Sequence, residues 1–353
     1  MTLRMTPSLV QDLLGIELPI VQAPMAGVQA SALAIAVSDA GGLGSLPCAL
    51  LGTDAMRDEL AAIRSRTARP YNVNFFCHTP PTPDPAREAA WRAALAPYYR
   101  ELGLDPNEIV AGPMRSPFSN EAADILEEFR PPVVSFHFGL PSPDLLSRVR
   151  AWGSKVLACA TTVDEARWLE ARGVDAIIAQ GLEAAGHRGN FLTADMTTQL
   201  GTFALIPRVV AAVRVPVIAA GGIADARGVA PALSLGASAV QIGTTYLLCP
   251  EATTSPVYRA ALRSPDAAHT ALTNLISGRP ARGIVNRLMR ELGPMSDLPP
   301  TFPLATPAVA PLRAAAEAKG MGDFSPLWAG QNSSGIKEIP AAELTQELAA
   351  DLK

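Results

Sequence analysis

The chain has 353 residues, of which 48% are hydrophobic and 18% are charged, and its formal net charge at pH 7 is −4. This composition is typical of a globular protein with a large core, and it argues against a basic nucleic-acid-binding surface or a polybasic membrane patch. The four cysteines lie far apart without a CxxC pair or zinc-ligand spacing, so we expect neither a disulfide framework nor a structural metal. With no signal-peptide core and no uninterrupted apolar run of about 20 residues, the sequence predicts a cytoplasmic protein without a transmembrane helix.

Short apolar segments that end in glycine, proline or small polar residues recur through the first part of the chain. Buried parallel strands look continuously apolar in this way because both of their faces are covered. Eight segments are therefore predicted as strands: residues 19–24, 43–48, 71–76, 133–138, 155–160, 176–181, 216–221 and 239–244.

Most of the gaps between these strands hold a helix-like stretch. The predicted helices are residues 30–39, 54–65, 144–152, 163–171, 203–213 and 226–235. Strand and helix repeated eight times predict a TIM (β/α)8 barrel. A doubly wound open sheet is the alternative, but no GxGxxG motif opens a first helix.

Two segments are longer than a minimal barrel requires. The connection at 77–132 is proline-rich and contains a helical stretch at 86–102, and the segment after the eighth strand contains a helix-like run at 267–277. We therefore predict a barrel formed by residues 1–245 and 315–353, with a small helical substrate or lid subdomain at 246–314.

The active site of such a barrel lies at the carboxyl ends of its strands. The first strand ends in Ala23, Pro24 and Met25, and small residues there let a flat ligand approach the backbone. The third strand carries Asn72 and Asn74, whose spacing directs both side chains to the same face of the sheet. If that face is the barrel interior, an amide can bond a ring carbonyl or imide; the alternative is a hydrogen bond to neighbouring backbone.

The fourth and sixth strands bring candidate catalytic groups. The fourth strand contains Ser135 and His137, and the sixth ends at Gln180, followed by a segment that presents Gly186 and His187. Imidazole has the side-chain pKa nearest neutrality, so a histidine just beyond a buried strand can take or give a proton. The alternative is a surface loop with an incidental histidine.

Glycines follow the last two predicted strands. Gly221 and Gly222 follow the seventh strand, and Gly243 and Thr244 end the eighth. Glycine exposes backbone N–H groups, and a following helix N-terminus adds a favourable dipole, so the two loops predict a phosphate site. Two tight turns without a ligand are the alternative. A phosphate site combined with inward amides suggests FMN, which has one phosphate and an imide-bearing ring.

Three histidines, His78, His137 and His187, fall near strand ends, as they would in a metal-dependent hydrolase barrel. Such a barrel normally adds an HxH motif on an early strand and an aspartate on a late one. The chain has no HxH motif, and Asp225 lies beyond the glycines of the seventh strand. We therefore expect no metal.

Several motifs together carry a resemblance to a known family. They are PIVQAPMAG at 19–27, YNVNFF at 71–76, SFHFG at 135–139, QGLEAAGHRG at 180–189, AAGGI at 219–223, ISGRPARG at 276–283 and LWAGQ at 327–331. Over nearly its whole length the chain resembles the nitronate monooxygenases, formerly called 2-nitropropane dioxygenases, of the class I bacterial type. The QGLEAAGHRG segment alone is shared with FMN-dependent enoyl-acyl-carrier-protein and quinone reductases, whereas SFHFG favours the monooxygenases.

The resemblance implies that His187 is the catalytic base or holds the anionic substrate by a hydrogen bond, and that Ser135 and His137 line the substrate pocket. The residues it implies for FMN binding are Ala23, Pro24, Met25, Asn72, Asn74, Gln180, Gly186, Gly221, Gly222, Gly243, Thr244, Trp328 and Gln331. The chain departs from the family pattern at Ala185, where the first of two glycines is usual. A methyl group there should tighten the loop that carries His187.

The implied reaction is the oxidation of an alkyl nitronate, such as propionate 3-nitronate, by O2. The nitronate gives one electron to FMN, and the semiquinone and the substrate radical react with O2 to yield a carbonyl compound and nitrite. The alternative on the same barrel is an FMN-dependent reductase of enoyl thioesters or quinones that uses NAD(P)H. We expect small-molecule partners, no nucleic acid and no membrane, and a monomer or homodimer.

Overall fold

The computed structural model describes residues 9–106 and 115–352. The strands are β1 Ile20–Gln22, β2 Gly44–Pro47, β3 Tyr71–Phe76, β4 Val133–His137, β5 Lys155–Ala160, β6 Ala176–Gln180, β7 Gly186–His187, β8 Val217–Ala220, β9 Ala239–Ile242, β10 Thr270–Thr273 and β11 Ala281–Ile284. The α-helices are α1 Leu9–Leu14, α2 Ser31–Asp39, α3 Thr53–Arg66, α4 Pro85–Leu102, α5 Asn120–Phe129, α6 Pro143–Ala151, α7 Val163–Glu170, α8 Thr202–Ala212, α9 Ala226–Ser234, α10 Pro256–Arg263, α11 Arg287–Leu292, α12 Thr306–Glu317 and α13 Ala341–Leu348. Of the described helices, none combines the length and apolarity needed to cross a bilayer.

Eight parallel strands form one closed sheet. Their order is β1-β9-β8-β6-β5-β4-β3-β2, and a parallel bridge between Val21 and Leu43 joins the first strand to the second. All eight predicted strands are present, each within two residues of its predicted ends. The prediction of a TIM (β/α)8 barrel is confirmed, and closure leaves the ring without an open edge.

The apolar character of the strands has two origins in the structure. Val21, Val133 and Ile218 point into the barrel, where they pack with one another in a buried cluster. The residues that alternate with such inward-facing positions along the strands, for example Ile20 and Val240, pack outward against the helices. Because both faces are buried, apolar residues follow one another without the alternation of a half-exposed strand.

A second hydrophobic core lies outside the barrel. Helix α4, from the long connection between β3 and β4, packs against α12, which comes more than 200 residues later. Trp91 Nε1 donates to the carbonyl of Ala305 at 3.3 Å, and Tyr99 Oη donates to the carbonyl of Ala308 at 2.7 Å. The two long segments of the sequence therefore fold together. The chain then contacts the barrel again through α13, which packs on α2.

The helix predicted at 267–277 is wrong. Residues Pro265–Ala268 form a single 3-10 turn, and Thr270–Thr273 is strand β10, antiparallel to β11. Strand β11 also pairs with β7, so this short sheet connects the segment after the barrel to the loop that follows β6. Backbone pairing with β11 overrides the helical propensity of the alanines in this run. The segment holds a small sheet as well as helices, and the division of the chain at 246 and 314 stays a prediction.

We expect that Gly44→Ala will destabilise the barrel strongly. A Cβ at Gly44 would lie 1.9 Å from the carbonyl oxygen of Ala34, so β2 could no longer approach α2 without a backbone shift. Overpacking of this kind costs about 2–3 kcal/mol. Urea unfolding measures the loss. The matched control is Gly228→Ala in α9, where a Cβ meets only ordinary contacts at 3.4 Å or more. Equal urea midpoints for the two variants would contradict the proposed close approach.

Candidate active site

A cavity of about 240 Å³ lies at the carboxyl ends of the barrel strands. Side chains from seven strands or strand ends form its floor: Ala23, Asn74, His137, Cys159, Gln180, Ala220 and Gln241. Residues from the segments after the barrel form one wall: Leu247, Tyr258, Arg313, Pro326 and Trp328. Tyr258 Oη donates to the carbonyl of Trp328, which ties two parts of this wall together.

Most of the predicted site residues line this cavity. They are Ala23, Pro24, Met25, Asn74, His137, Gln180, Gly186, His187, Gly221, Gly222, Gly243, Thr244 and Trp328. Asn72, Ser135 and Gln331 lie outside it. Gln331 is exposed, and its N–H donates to the carbonyl of Glu183 at 3.0 Å.

Asn72 and Ser135 are fully buried beneath the floor. Asn72 Nδ2 and Asn74 Nδ2 both donate to Ser135 Oγ at 2.9 Å, so the two asparagines do point to the same side, and that side is the barrel interior. Residues two apart on an inward-facing strand occupy successive layers of a barrel. Only the upper residue, Asn74, reaches the cavity, and the strand pattern alone did not distinguish the layers.

Several residues of the cavity were missed in the sequence. Cys159 and Gln241 are inward-facing floor residues, and Gln241 has the same strand parity as Gly243, a signal that could have identified it. Arg115, Tyr258 and Arg313 also line the cavity. They come from connections and helices far from any strand end, and no local pattern marks them.

The loops after β8 and β9 bring bare backbone to the cavity. Gly221 and Gly222 have φ angles of 115° and 72°, which strongly favour glycine. A Cβ at Gly221 would also lie 2.9 Å from Thr202 Oγ1. At Gly243 a Cβ would lie 3.3 Å from Ala23 Cβ. Helix α9 begins at Ala226, four residues after Gly222, so the arrangement fits a phosphate group.

His187 is held from two sides. Its backbone pairs with Ala281 of β11, and its carbonyl accepts a hydrogen bond from Gln180 Nε2 at 3.1 Å. His137 Nε2 lies 3.2 Å from the same carbonyl, a distance at which the ring nitrogen donates. The His187 ring itself contacts Ser277, with Nε2 and Oγ 2.8 Å apart. The backbone of His187 is thus fixed by the floor and by the small sheet, and its imidazole is held by Ser277.

The two residues after His187 anchor the loop. Arg188 is fully buried and donates to the carbonyls of Gly181 at 2.5 Å and Gln180 at 2.7 Å, and to Gln199 Oε1 at 3.0 Å. Gly189 packs directly on the floor, since a Cβ there would lie 2.6 Å from Cys159 Sγ and 2.8 Å from His137 Cε1. The sequence His-Arg-Gly therefore places an imidazole at the cavity, an anchor under the loop and a close contact with the floor.

The Ala185 departure is compatible with the loop geometry. Gly186 has a φ of +67°, whereas Ala185 is not among the described residues with positive φ. The alanine thus occupies a position that accepts a side chain, and its neighbour supplies the left-handed turn. Ala185 lines the cavity, and its effect on the pocket stays a prediction.

Aromatic rings surround His187. The ring centroids of Phe302, Trp328, Phe138 and Phe76 lie 5.2, 5.6, 6.1 and 6.2 Å from that of His187. Burial among these rings lowers the pKa of His187 well below its ordinary value, and the nearby Arg115 lowers it further. The imidazole is therefore neutral at pH 7 and can accept a proton.

The other two predicted histidines are also neutral. Burial lowers the pKa of His137 to about 3 and that of His78 to about 4, and Arg279 contributes in both cases. No Asp or Glu is among the described residues that line the cavity, whereas Arg115 and Arg313 are. A cavity with cations, neutral imidazoles and no lining carboxylate favours an anionic ligand.

The described part of the chain was searched for side-chain clusters that could bind a metal ion. Over residues 9–106 and 115–352, no group of three or more His, Cys, Asp or Glu side chains could hold a metal ion. The four cysteines are free. The expected independence from metal stays a prediction.

Comparisons with known proteins identify the family of the chain. The family model described as Nitronate monooxygenase matches residues 7–351. A nitronate monooxygenase of Pseudomonas aeruginosa is 46% identical over 346 residues, which cover 97% of this chain and 98% of the relative. Among solved structures, nitroalkane oxidase from Streptomyces ansochromogenes has a TM-score of 0.88 and 39% identity, with 97% of each chain covered. FabK from Thermotoga maritima has a TM-score of 0.71 and 28% identity, with 98% of this chain and 96% of that chain covered. The chain belongs to the nitronate monooxygenase family and is a flavin-dependent oxidoreductase.

Proposed function

We propose that the protein uses FMN and O2 to oxidise a small nitronate that carries a second negative charge, of the propionate 3-nitronate type. The products are a carbonyl compound and nitrite. The substrate assignment rests on one observation. Arg115 is a cation that lines the cavity near His187, and it forms no ion pair with any described residue.

The residues of the cavity fit FMN. The glycine loops after β8 and β9 form one phosphate cradle, and the floor between the cradle and His187 offers amides and small side chains. Gln241 Oε1 is buried without a partner among the described residues, as expected of a group that a ligand satisfies. When bound, the flavin would supply the electron transfer between nitronate and O2, and the protein would position and polarise the substrate.

We expect the purified protein to be yellow, with about one non-covalent FMN per chain. The cradle has room for the single phosphate of FMN at Gly221, Gly222 and Gly243. Extraction of the flavin, identification by mass, and reconstitution of the apoprotein measure this. Extensive chelation is the control for metal and should leave activity unchanged. An apoprotein that takes up FAD but not FMN, or neither, would contradict the cofactor proposal.

We assign to His187 the removal of the α-proton from the substrate. Ser277 Oγ lies 3.5 Å from the carbonyl of Arg279, so the hydroxyl can donate there and accept from His187 Nε2 at 2.8 Å. In this arrangement Nδ1 keeps its lone pair. A neutral nitroalkane could lose its α-proton to that nitrogen, and the resulting imidazolium would face the anionic nitronate. Ser277 thereby orients the base without touching the substrate.

We expect His187→Asn to reduce oxidation of a neutral nitroalkane by about 10²–10⁴-fold, the usual contribution of a general base. Oxidation of a pre-formed nitronate should fall much less, because that substrate has already lost its proton. Steady-state rates on the two forms of one compound give the comparison. FMN content is the control and should be normal. Equal losses on both forms, with FMN retained, would mean that His187 binds the substrate and does not deprotonate it.

Arg115 is well placed to hold a distal carboxylate. Its Nη1 donates to Thr306 Oγ1 at 3.2 Å, and its guanidinium lies 5.8 Å from the ring centroid of Phe302. Burial lowers the pKa of Arg115 to about 10, so it stays charged at pH 7. Arg313 lines the same cavity but is already paired with Glu317 at 2.8 Å. Of the two arginines, Arg115 is the one without a carboxylate partner among the described residues. It is therefore the one available to pair with an anionic substrate.

We expect Arg115→Gln to raise the KM for propionate 3-nitronate by about 10- to 100-fold, since a hydrogen bond to a charged group contributes about 1.5–3 kcal/mol. The KM for ethylnitronate, which lacks the carboxylate, should change little. The matched control is Arg313→Gln, whose effect on both substrates should be small. A similar rise for both nitronates in Arg115→Gln would contradict a carboxylate site.

The alternative is an FMN-dependent reductase of enoyl thioesters or quinones that uses NAD(P)H. Steady-state oxidation of NADH or NADPH by the holoenzyme, dependent on such an acceptor, would favour it over the monooxygenase reaction. The oligomeric state, monomer or homodimer, and a cytoplasmic location stay predictions.

A further inference from the structure

Two ionisable side chains near the loop that carries His187 are fully buried, and neither forms an ion pair. They are Arg188, which directly follows His187, and Glu165, in the first turn of α7. Among the described residues, no carboxylate lies within ion-pair distance of Arg188, and no cation lies within that distance of Glu165. A buried charge is costly unless it is compensated, so each of the two needs another form of stabilisation.

Glu165 has the hydrogen bonds of a carboxylate. Its Oε2 accepts from the N–H of Thr161 at 2.7 Å and from Thr161 Oγ1 at 2.8 Å. Its Oε1 accepts from the N–H of Phe191 at 2.6 Å and from that of Leu192 at 3.2 Å. Each oxygen therefore faces two donors, a pattern that only the ionised form satisfies in full. The bonds to Phe191 and Leu192 also attach the carboxylate to the far end of the loop that carries His187.

Two buried, uncharged side chains connect Arg188 with Glu165. Arg188 Nε and Nη2 donate to Gln199 Oε1 at 3.2 and 3.0 Å. Gln199 Nε2 donates to Thr161 Oγ1 at 3.0 Å, and that hydroxyl uses its single proton for Glu165 Oε2. Every donor in this series is directed from the arginine towards the carboxylate, so the hydrogen bonds polarise one another in the same sense. The arrangement is that of a buried ion pair separated by an amide and a hydroxyl.

Two other charged groups lie near this series. Glu183 is a second carboxylate whose charge acts on Arg188, but it is only partly buried, and its two oxygens accept from the N–H of Thr202 at 3.0 and 2.7 Å. Arg279 is a second buried cation on which the charge of Glu165 acts. Among the described residues, only the pair of Arg188 and Glu165 is joined by a continuous series of side-chain hydrogen bonds.

We propose that Glu165 is the counter-charge of Arg188, although an amide and a hydroxyl separate the two. Glu165 is thereby a positioning residue for the loop that carries His187, because the two charges hold that loop from both ends. The charge assignment depends on no cofactor or substrate, whereas its effect on catalysis rests on the proposed role of His187.

Relocation of the carboxylate tests the charge assignment. Glu165→Gln should lower the urea midpoint of the purified protein, because it leaves Arg188 without its counter-charge. Gln199→Glu alone should also lower the midpoint, because Thr161 then has one hydroxyl proton for two carboxylates. Added to Glu165→Gln, the same Gln199→Glu substitution should raise the midpoint, because it returns a carboxylate to Arg188 in direct contact. Gln199→Met supplies no charge and should lower the midpoint in both backgrounds.

Steady-state rates test the positioning role. Glu165→Gln should lower kcat/KM for a neutral nitroalkane by about 10- to 100-fold, since a displacement of about 1 Å in a reacting group can cost about 100-fold. Oxidation of the pre-formed nitronate should fall much less, because that substrate no longer needs the base. Gln199→Glu in the same chain should restore part of the lost rate.

The matched control is Glu170→Gln at the last residue of the same helix. Glu170 also accepts from backbone, with the N–H of Val215 at 3.2 Å, but no described hydrogen bond connects it to Arg188. Its substitution can lower the urea midpoint, yet the ratio of the nitroalkane rate to the nitronate rate should be that of the wild type.

A milder pair of variants covers the case in which Glu165→Gln does not fold. Thr161→Val keeps the backbone N–H that donates to Glu165 and removes only the hydroxyl. It should lower both the urea midpoint and the ratio of the nitroalkane rate to the nitronate rate. Thr161→Ser, which keeps the hydroxyl, should restore both.

Four results would overturn the inference. In the first, Gln199→Glu lowers the midpoint of Glu165→Gln as it does that of the wild type. In the second, Gln199→Glu rescues Glu183→Gln and not Glu165→Gln, which would assign the counter-charge to Glu183. In the third, Thr161→Val behaves as the wild type. In the fourth, the ratio of the two rates changes in His187→Asn but not in Glu165→Gln, which would remove the positioning role.

Failure of the proposed base has a different signature. If His187→Asn itself leaves the ratio of the two rates unchanged, His187 is not the base, and the urea midpoints still decide whether Glu165 is the counter-charge of Arg188.

Discussion

Closure of the parallel barrel is the constraint on which the site depends. The bridge between Val21 and Leu43 completes a ring in which every strand runs in the same direction, so all carboxyl ends meet at one rim. Inward-facing residues of successive strands then share a layer. Asn74, Gln180 and Gln241 are far apart in sequence, yet they become neighbours on one floor. A shift of one residue in any strand would turn its member of this layer toward the helices.

The loop that carries His187 is anchored by a buried cation. Arg188 is removed from water, and burial lowers its pKa to about 10. Carbonyls at the end of β6 and the amide oxygen of Gln199 replace the lost solvent, so the guanidinium stays charged and bonded. The pairing of β7 with β11 fixes the loop from the other side. The imidazole of His187 is therefore held in place by contacts within the protein, as the proposed proton transfer requires.

Charge and polarity in the cavity act in the same direction. Burial among aromatic rings keeps the imidazole of His187 neutral, while Arg115 brings a positive charge that no described carboxylate pairs. Electrostatic interactions between buried groups are stronger than those in water. The ligand groups of the proposed function, which are a nitronate, a distal carboxylate and a phosphate, are all anions, and they match the charge of the cavity. In the proposed function, the residue that selects the ligand by charge is thus separate from the residue that accepts its proton.

The sequence by itself determined the barrel, the site at its strand ends and the glycine loops, because these depend on local patterns of apolar runs, glycines and polar strand ends. It also placed His187 at the cavity. Tertiary structure decided which residue of an inward pair reaches the cavity, Asn74 and not Asn72, because layers depend on the stagger of neighbouring strands. It also turned residues 270–273 into a strand through pairing with β11, and it brought Arg115 and Tyr258 to the site from distant segments. Such contacts depend on packing between elements remote in sequence, for which no local pattern exists.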